Sequence, residues 1–415
     1  MYNIKYNDSE KGTTIYSKAS IIILFIVGFL NGKPYFEMMG YSTFPQILLL
    51  IIYCIIPLIV LLTVMNILFK RKNYVLSSRY WIILAFAILI KYLLLFIQFP
   101  GSFAPGNVNF YPMLTSLISI FLIFILVENI KDLRTLRLSI WALGTGSFIA
   151  TMLPIAVFPE YIGLRINDIN GFKISGGFWN QSVISYMSAG WLLMFLVIYE
   201  KKKIYRYIAF IMFVTLMISG IFGLSRAIFV SIVLSMFVYL VVSNNFKKYI
   251  KSIIIIIVVA GVVSFLFKDV INSFSSRIDG GIKIEEEARV DIWMDYLTNI
   301  PDYFMFGEIE GNYKKYSSSI KKFGPHSVVL NWFVQFGVIA LIGFLYLMYG
   351  ILKSFKSVYS HQSKELGAVV VAWFVAYISI AFINETGFDQ FSIFSGIGIV
   401  LAWGNIAENS KVKIK

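Results

Sequence analysis

Residues 44–69 read FPQILLLIIYCIIPLIVLLTVMNILF and contain no charged side chain. As a helix, this stretch would extend about 39 Å, which exceeds the ~30 Å hydrocarbon core of a bilayer. It therefore predicts a membrane-spanning helix. Cys54 lies within it and is the only cysteine of the chain, so an intramolecular disulfide is impossible and redox chemistry is not expected.

The rest of the chain repeats this apolar pattern. Hydrophobic residues make up 58% of the sequence and charged residues 14%, whereas soluble domains average about 45–50% and about 25%. A soluble protein of this size could not bury so much apolar surface, so lipid is the expected solvent. We predict an all-α protein, a polytopic transmembrane helical bundle of about 12 spans, at residues 17–31, 44–69, 79–98, 110–128, 138–158, 180–199, 204–220, 226–243, 249–268, 326–352, 366–384 and 389–406.

The charges of the loops give these spans an orientation. The formal net charge of +14 could indicate a nucleic-acid partner, but the distribution of Lys and Arg favours a membrane explanation. Among the termini and short loops, 23 of these residues fall on one side of the spans and 4 on the other. The positive-inside rule then places both termini in the cytoplasm. We expect a multi-pass protein of the cytoplasmic membrane that binds no nucleic acid.

One long polar segment, residues 269–325, interrupts the series of short loops. It separates spans 1–9 (1–268) from spans 10–12 (326–415) and lies on the outer side. Loops of this length are usually functional or disordered. Its sequence EEEARVDIWMDYLTNIPDYF predicts an amphipathic helix on the bilayer surface; the alternative is a small soluble cap that packs its own core. The apolar residues at helical spacing are Val290, Trp293, Met294, Leu297 and Ile300.

Few residues of this sequence suit a metal-dependent or nucleotide-dependent reaction. The chain contains no GxxxxGK[ST] loop, HExxH pair or CxxC pair, and two histidines are too few for a histidine metal site. We expect neither a metal nor a cofactor. His326 follows Gly324-Pro325 at the predicted first turn of the tenth span, on the outer surface. A neutral imidazole there could accept a proton; the alternative is an ordinary histidine at the membrane interface.

Basic residues on the outer side form a second candidate group. Arg226 opens the eighth span, and a helix N-terminus is an unfavourable place for a cation unless an anion also binds there. Because Arg suits phosphate groups, Arg226 is a candidate ligand of a phosphorylated substrate; the alternative is an arginine that reaches out to the membrane surface. Other outer basic residues that could line the same site are Arg165, Lys173, Arg277 and Arg289.

Three blocks between residues 218 and 347 resemble the O-antigen ligase and polymerase superfamily of bacterial membrane glycosyltransferases. The first is Leu224-Ser225-Arg226-Ala227 at the start of a span. The second is Ala288-Arg289-Val290-Asp291-Ile292-Trp293, followed by Pro301 and Phe306-Gly307. The third is Pro325-His326-Ser327-Val328-Val329-Leu330, followed by Phe336-Gly337, and Gly176-Gly177-Phe178-Trp179-Asn180 is a fainter match. Ser327 and Gln335 depart from the family's usual Asn and acidic residue.

The resemblance implies a GT-C type fold and transfer of an oligosaccharide from polyprenyl pyrophosphate to a sugar hydroxyl, at the outer face of the bacterial inner membrane. His326 would be the catalytic base, with Glu308, Glu310, Glu385 and Asp389 as acidic alternatives. The pyrophosphate would bind Arg226 and Arg289, with Arg277 or Arg165 as supplements. Besides the lipid-linked oligosaccharide and membrane lipid, a chain-length regulator and a flippase are candidate partners.

Three activities remain open at this point. We favour a polymerase of O-antigen or capsule repeat units over a ligase that transfers glycan to lipid A core. A flippase or transporter of lipid-linked oligosaccharides is the alternative from another class, and such proteins carry charged or broken helices near mid-membrane. In this sequence only Lys91 is expected to be buried within a span, and the other polar groups gather at one face. That distribution favours the enzyme.

Overall fold

The structure, a computed structural model, describes most of the predicted spans. The described residues are 15–69, 79–99, 110–159, 165–169, 172–175, 178–222, 226–244, 290–308, 316, 325, 327–381 and 391–412. Within these ranges only the backbone is described for residues 66–69, 110–113, 165–182, 221–222, 226–227 and 411–412.

Long apolar helices make up nearly all of the described chain. The first, α1 (Ile15–Phe29), continues through a 3-10 turn (Leu30–Gly32) into the short α2 (Lys33–Met38). The helices before the long loop are α3 (Thr43–Phe69), α4 (Ile82–Gln98), α5 (Phe110–Asn129), α6 (Leu133–Val157), α7 (Asn180–Tyr199), α8 (Lys203–Phe222) and α9 (Arg226–Ser243). Those that follow are α10 (residues 290–298), α11 (Ile300–Tyr303), α12 (Val328–His361), α13 (Lys364–Ala381) and α14 (Phe391–Val412).

The described helices agree with most of the predicted spans. Seven described helical segments are long and apolar enough to cross a membrane, and four shorter apolar helices lie at further predicted spans. The predicted span at residues 249–268 lies outside the described residues, so the total of 12 stays a prediction. The helical, multi-pass architecture itself is confirmed.

Apolar side chains cover the outside of the bundle as well as its interior. On α9 the side chains of Val230, Val233, Phe237 and Val241 are exposed, and their spacing of three or four residues puts them on one face of the helix. Exposed apolar surface of this extent is typical of contact with lipid. Exposed apolar faces such as this one are therefore the surfaces that contact lipid.

Hydrogen bonds from tryptophan to serine connect helices inside the bundle. Trp373 on α13 donates to the Ser188 hydroxyl on α7 at 2.8 Å, and Trp191 on α7 donates to the Ser235 hydroxyl on α9 at 3.1 Å. Both indoles are 1% exposed. In lipid the hydrophobic effect does not drive helices together. A membrane bundle is therefore stabilised by close packing at small residues and by polar contacts of this kind.

A small antiparallel sheet that was not predicted lies between α6 and α7, within the otherwise helical fold. Its strands are β1 (Arg165–Ile169), β2 (Phe172–Ser175) and β3 (Phe178–Trp179), in that order across the sheet. Ile169 pairs with Phe172, and Ser175 pairs with Phe178. The two residues between each pair are Asn170-Gly171 and Gly176-Gly177, both typical of two-residue hairpin turns.

Candidate functional site

The predicted site residues fall at or beyond the edge of the described chain. Arg165 is the first residue of β1 and Arg226 the first residue of α9, and only their backbones are described. Arg277, Arg289 and His326 lie outside the described residues. Their roles therefore stay predictions, but the described chain resumes at Val290, next to Arg289, and includes Pro325 and Ser327 on the two sides of His326.

The helix that follows His326 begins later in the structure than the sequence predicted. α12 begins at Val328, with Ser327 as its N-cap residue in an extended conformation (φ −148°, ψ 128°). The prediction that His326 lies in the first helical turn is therefore wrong, because the helix begins two residues later. Ser is among the preferred N-cap residues, and this signal should have outweighed Pro325 as the marker of the helix start.

A hydrogen bond fixes the backbone beside His326 to the amphipathic helix. The indole nitrogen of Trp293 on α10 donates to the carbonyl oxygen of Pro325 at 2.8 Å. Pro325 and Ser327 are both buried. α10 thus holds the segment that carries His326 against the protein, and Arg289 immediately precedes the first described residue of the same helix.

α10 packs on the N-terminal part of α12 through a separate, largely aromatic cluster. Ile292 and Tyr296 on α10, Tyr303 on α11, and Phe333 and Val334 on α12 are all buried. Burial raises the pKa of Tyr303 above its usual value, so the phenol stays protonated and donates to the carbonyl oxygen of Tyr296. The side chains of Val290, Met294 and Leu297 on α10 are exposed, and this exposure favours the bilayer-surface helix over a soluble cap.

The N-terminal part of α12 is not a continuous helix. Gly337 has φ 77° and ψ −172°, outside the helical region. In a continuous helix the Val338 N–H would bond the Val334 carbonyl. Here Val338 donates to the carbonyl of Phe304 at 2.7 Å, and Glu308 donates to the carbonyl of Val334 at 2.7 Å. The helical hydrogen bond between Val338 and Val334 is thus replaced by two hydrogen bonds to the segment after α11. Both backbone groups stay paired, which is necessary in lipid because no water is available to bond them.

Two glycines allow this close approach of backbones. Gly307 and Gly337 both have positive φ, 76° and 77°. A Cβ atom at Gly307 would overlap the backbone carbonyl of Gln335, and one at Gly337 would overlap the carbonyl of Met305. The dipeptides Phe306-Gly307 and Phe336-Gly337 therefore interlock, and neither glycine has room for a side chain.

The side chain of Lys91, on α4, contacts α12 at this interruption. It is 5% exposed, and its ammonium donates to the carbonyl oxygen of Gln335. The same nitrogen lies 4.8 Å from the centroid of the Phe336 ring, a cation–π contact. It also interacts electrostatically with Glu308, which is 3% exposed. A buried ammonium is thus held by a carbonyl and an aromatic ring, with the Glu308 carboxylate as a nearby negative charge.

These contacts join two of the three sequence blocks, since Trp293 and Gly307 belong to the second block and Pro325 and Gly337 to the third. Residues 211–345 match the O-antigen ligase family. The match covers about a third of the chain, from α8 into α12, and confirms the resemblance predicted from the sequence. No curated protein sequence matches the chain.

The O-antigen ligase match supports a membrane glycosyltransferase of the ligase and polymerase type and does not distinguish between these two activities. The matched segment contains Arg226, Arg277, Arg289 and His326 but excludes Lys91. Lys91 was expected to be buried but was given no role. Its long-range contact with Gln335, 244 residues away in the sequence, has no local sequence signal.

An apolar groove of about 430 Å³ runs between α10 and α12, beside the position of His326. Its wall on α10 includes Trp293 and Leu297. Its wall on α12 begins at Ser327, the residue after His326, and continues with Val329, Leu330, Phe333 and Leu341. Such a groove suits a hydrocarbon chain at the edge of the site.

Of the acidic alternatives to His326, Glu308 lies within the described residues. Its side chain is buried and its N–H is bonded to α12, so it supports the helix interruption, and its role in the reaction stays a prediction. Glu310, Glu385 and Asp389 lie outside the described residues.

Proposed function

We propose that the protein polymerises lipid-linked polysaccharide repeat units of O-antigen or capsule type at the outer face of the cytoplasmic membrane. The donor is an oligosaccharide on polyprenyl pyrophosphate, and the acceptor is a sugar hydroxyl of another lipid-linked chain. The observation that carries this proposal is the apolar groove between α10 and α12, which ends at the residue next to His326. A polyprenyl chain in this groove would bring its pyrophosphate close to His326 and Arg289.

The chemistry requires a base and a group that stabilises the leaving pyrophosphate. His326 takes the proton of the attacking hydroxyl while the oxygen bonds the anomeric carbon, and the bond from that carbon to the pyrophosphate oxygen breaks. Arg226 and Arg289 bind the pyrophosphate, with Arg277 and Arg165 as further cations. Because arginines can neutralise the leaving group electrostatically, the reaction needs no metal ion.

The groove can be tested without touching the proposed catalytic residues. Leu330→Trp would fill the groove, and Leu345→Trp is a matched control because Leu345 is exposed on the same helix outside the groove. With a purified lipid-linked repeat unit as substrate, we expect Leu330→Trp to raise KM for the donor and Leu345→Trp to behave like wild type. Equal kinetics for the two variants would contradict donor binding in the groove.

A deletion strain separates the polymerase from the ligase. A polymerase mutant should leave single repeat units attached to their normal anchor, since only elongation is lost. A ligase mutant should leave polymer on the polyprenyl lipid and none on the final acceptor. The cell-surface glycan profile together with the extracted lipid-linked glycans distinguishes these two results.

The interruption at Gly337 is the one observation that favours a transporter as second candidate. Transporters carry charged or broken helices near mid-membrane, and α12 is broken at Gly337 beside a buried lysine. The groups at this break are paired within the protein, however, by Lys91 and by the segment after α11. Transport of a fluorescent lipid-linked oligosaccharide across proteoliposomes, without chain elongation, would establish the transporter instead.

A further inference from the structure

A small polar pocket lies at the opposite end of α12 from His326. It has a volume of about 180 Å³ and is formed by the residues just before α4, by α12 and by the end of α14. Arg79 and Lys353 supply two cations to its lining, and Glu408 supplies one carboxylate. Its volume is below the ~300 Å³ at which pockets for drug-sized ligands begin, so it suits a single headgroup-sized ligand.

Tyrosines and glycines shape this pocket. The ring of Tyr80 lies where a side chain on Gly350 would be, and its centroid is 4.9 Å from that of Tyr346. Lys353 lies near Tyr80 and 3.6 Å from a carboxylate oxygen of Glu408. The ammonium is therefore positioned by side chains from two other elements, although it remains half exposed.

Two polar groups in the lining have no protein partner among the described residues. The hydroxyl of Ser357 is buried, with the residue 8% exposed, and makes no hydrogen bond there. The amide nitrogen of Asn405 is likewise buried without a partner in the described part of the chain. Buried polar groups are normally hydrogen-bonded, so these two donors are consistent with a ligand that accepts hydrogen bonds.

The pocket borders the lipid-exposed surface of the bundle. Ile342, Leu345, Tyr349 and Leu352 are exposed along one face of α12, and Tyr346, Gly350 and Lys353 each follow one of these residues in the sequence. The pocket therefore begins at the edge of the lipid-facing stripe. The charge bias of the loops predicts that Arg79 and Lys353 lie on the cytoplasmic side, where the leaflet presents anionic headgroups.

We propose that this pocket binds the phosphodiester headgroup of an anionic membrane phospholipid such as phosphatidylglycerol. Arg79 and Lys353 bind the phosphate oxygens, with the Ser357 hydroxyl and the Asn405 amide as further donors. Glu408 accepts a hydrogen bond from a headgroup hydroxyl, which explains a carboxylate in a pocket for an anion. The acyl chains lie along the exposed stripe of α12.

Native mass spectrometry of the purified full-length protein, titrated with phosphatidylglycerol in detergent, tests this site. Arg79→Ala and Lys353→Ala should each bind the lipid roughly fivefold more weakly, since each cation near a membrane contributes about 1 kcal/mol to its binding of anionic lipid. Lys356→Ala is the matched control, because Lys356 is exposed on the same helix but does not line the pocket. It should bind like wild type.

Further arms of this experiment separate the possible ligands and guard against misfolding. Asn405→Leu, which keeps nearly the same size and every charge, should also weaken binding, and each variant is accepted only if its elution and thermal unfolding match wild type. Unchanged binding by the folded pocket variants overturns the site. Equal binding of phosphatidylethanolamine overturns the selectivity for anionic lipid. Competition by inorganic phosphate at equal concentration identifies a free anion and overturns the lipid.

Discussion

The ammonium of Lys91 donates a hydrogen bond to the carbonyl oxygen of Gln335, two residues before the interruption of α12 at Gly337. Gln335 lies seven residues from the start of α12, and Lys91 lies seven residues from the end of α4, so both lie about 10 Å inside their helices. A cation at the carboxyl end of a helical segment is favoured by the helix dipole. Lys91 thus stabilises the N-terminal segment of α12, which begins two residues after His326.

Replacement of Lys91 should destabilise the protein. Lys91→Met keeps the length of the side chain but removes the donor, which leaves the Gln335 carbonyl without this bond and costs about 1–3 kcal/mol. Thermal unfolding in detergent measures the loss. Lys356→Met, at an exposed position of α12, is the control and should unfold like wild type. If both variants unfold at the wild-type temperature, Lys91 does not support the interruption.

The interlocked glycines should tolerate no side chain. Gly307→Ala and Gly337→Ala each add a methyl group that overlaps backbone atoms of the other segment, in addition to the roughly 1–2 kcal/mol that an L-residue loses at positive φ. Gly40→Ala separates the two effects, because Gly40 has φ 84° with open space around it. We expect the thermal midpoint to fall slightly for Gly40→Ala and much further for the other two. Equal shifts for all three would show that the backbones do not meet as closely as described.

The sequence predicted those features that depend on local pattern. The spans follow from long apolar stretches such as 44–69, and the helical character of residues 290–298 follows from their apolar spacing. The hairpin was missed although Asn170-Gly171 and Gly176-Gly177 are local turn signals. The interruption at Gly337 has no such signal, because a glycine in an apolar run is also compatible with a helix. Only pairing with residues 304–308 and the contact with Lys91 make the break stable, and both depend on tertiary structure.

The predicted arginines should be needed for activity but not for folding. Arg226→Ala and Arg289→Ala should abolish or strongly reduce polymer formation from a lipid-linked repeat unit. The corresponding Arg→Lys variants should recover only part of the activity, because an ammonium cannot make the bidentate contact of a guanidinium. Arg134→Ala, at an exposed position near the start of α6, is the control. Full activity of Arg226→Ala and Arg289→Ala at normal expression would reduce these residues to charges at the membrane surface.

The orientation of the long loop can be measured directly. The charge bias places residues 269–325 outside, so a cysteine at Ser318 in a Cys54→Ala background should react with a membrane-impermeant thiol reagent in intact cells. A cysteine at Lys201, in an exposed loop of the predicted cytoplasmic side, should react only after permeabilisation. The reverse pattern would invert the topology and remove the basis for an outward-facing active site.

His326 is the most direct test of the mechanism, since a sugar hydroxyl is a poor nucleophile until a base accepts its proton. His326→Ala should lower kcat roughly 100-fold to 10,000-fold, the usual contribution of a general base, while thermal unfolding stays near wild type. Because imidazole is protonated below its ordinary pKa of about 6.5, wild-type activity should fall as the pH drops through that range. The only other histidine, His361, is hydrogen-bonded to the carbonyl of Ser357 at the far end of α12, so His361→Ala should keep both the rate and the pH profile. Wild-type polymer from a folded His326→Ala variant would reject the base assignment and direct attention to Glu385 and Asp389.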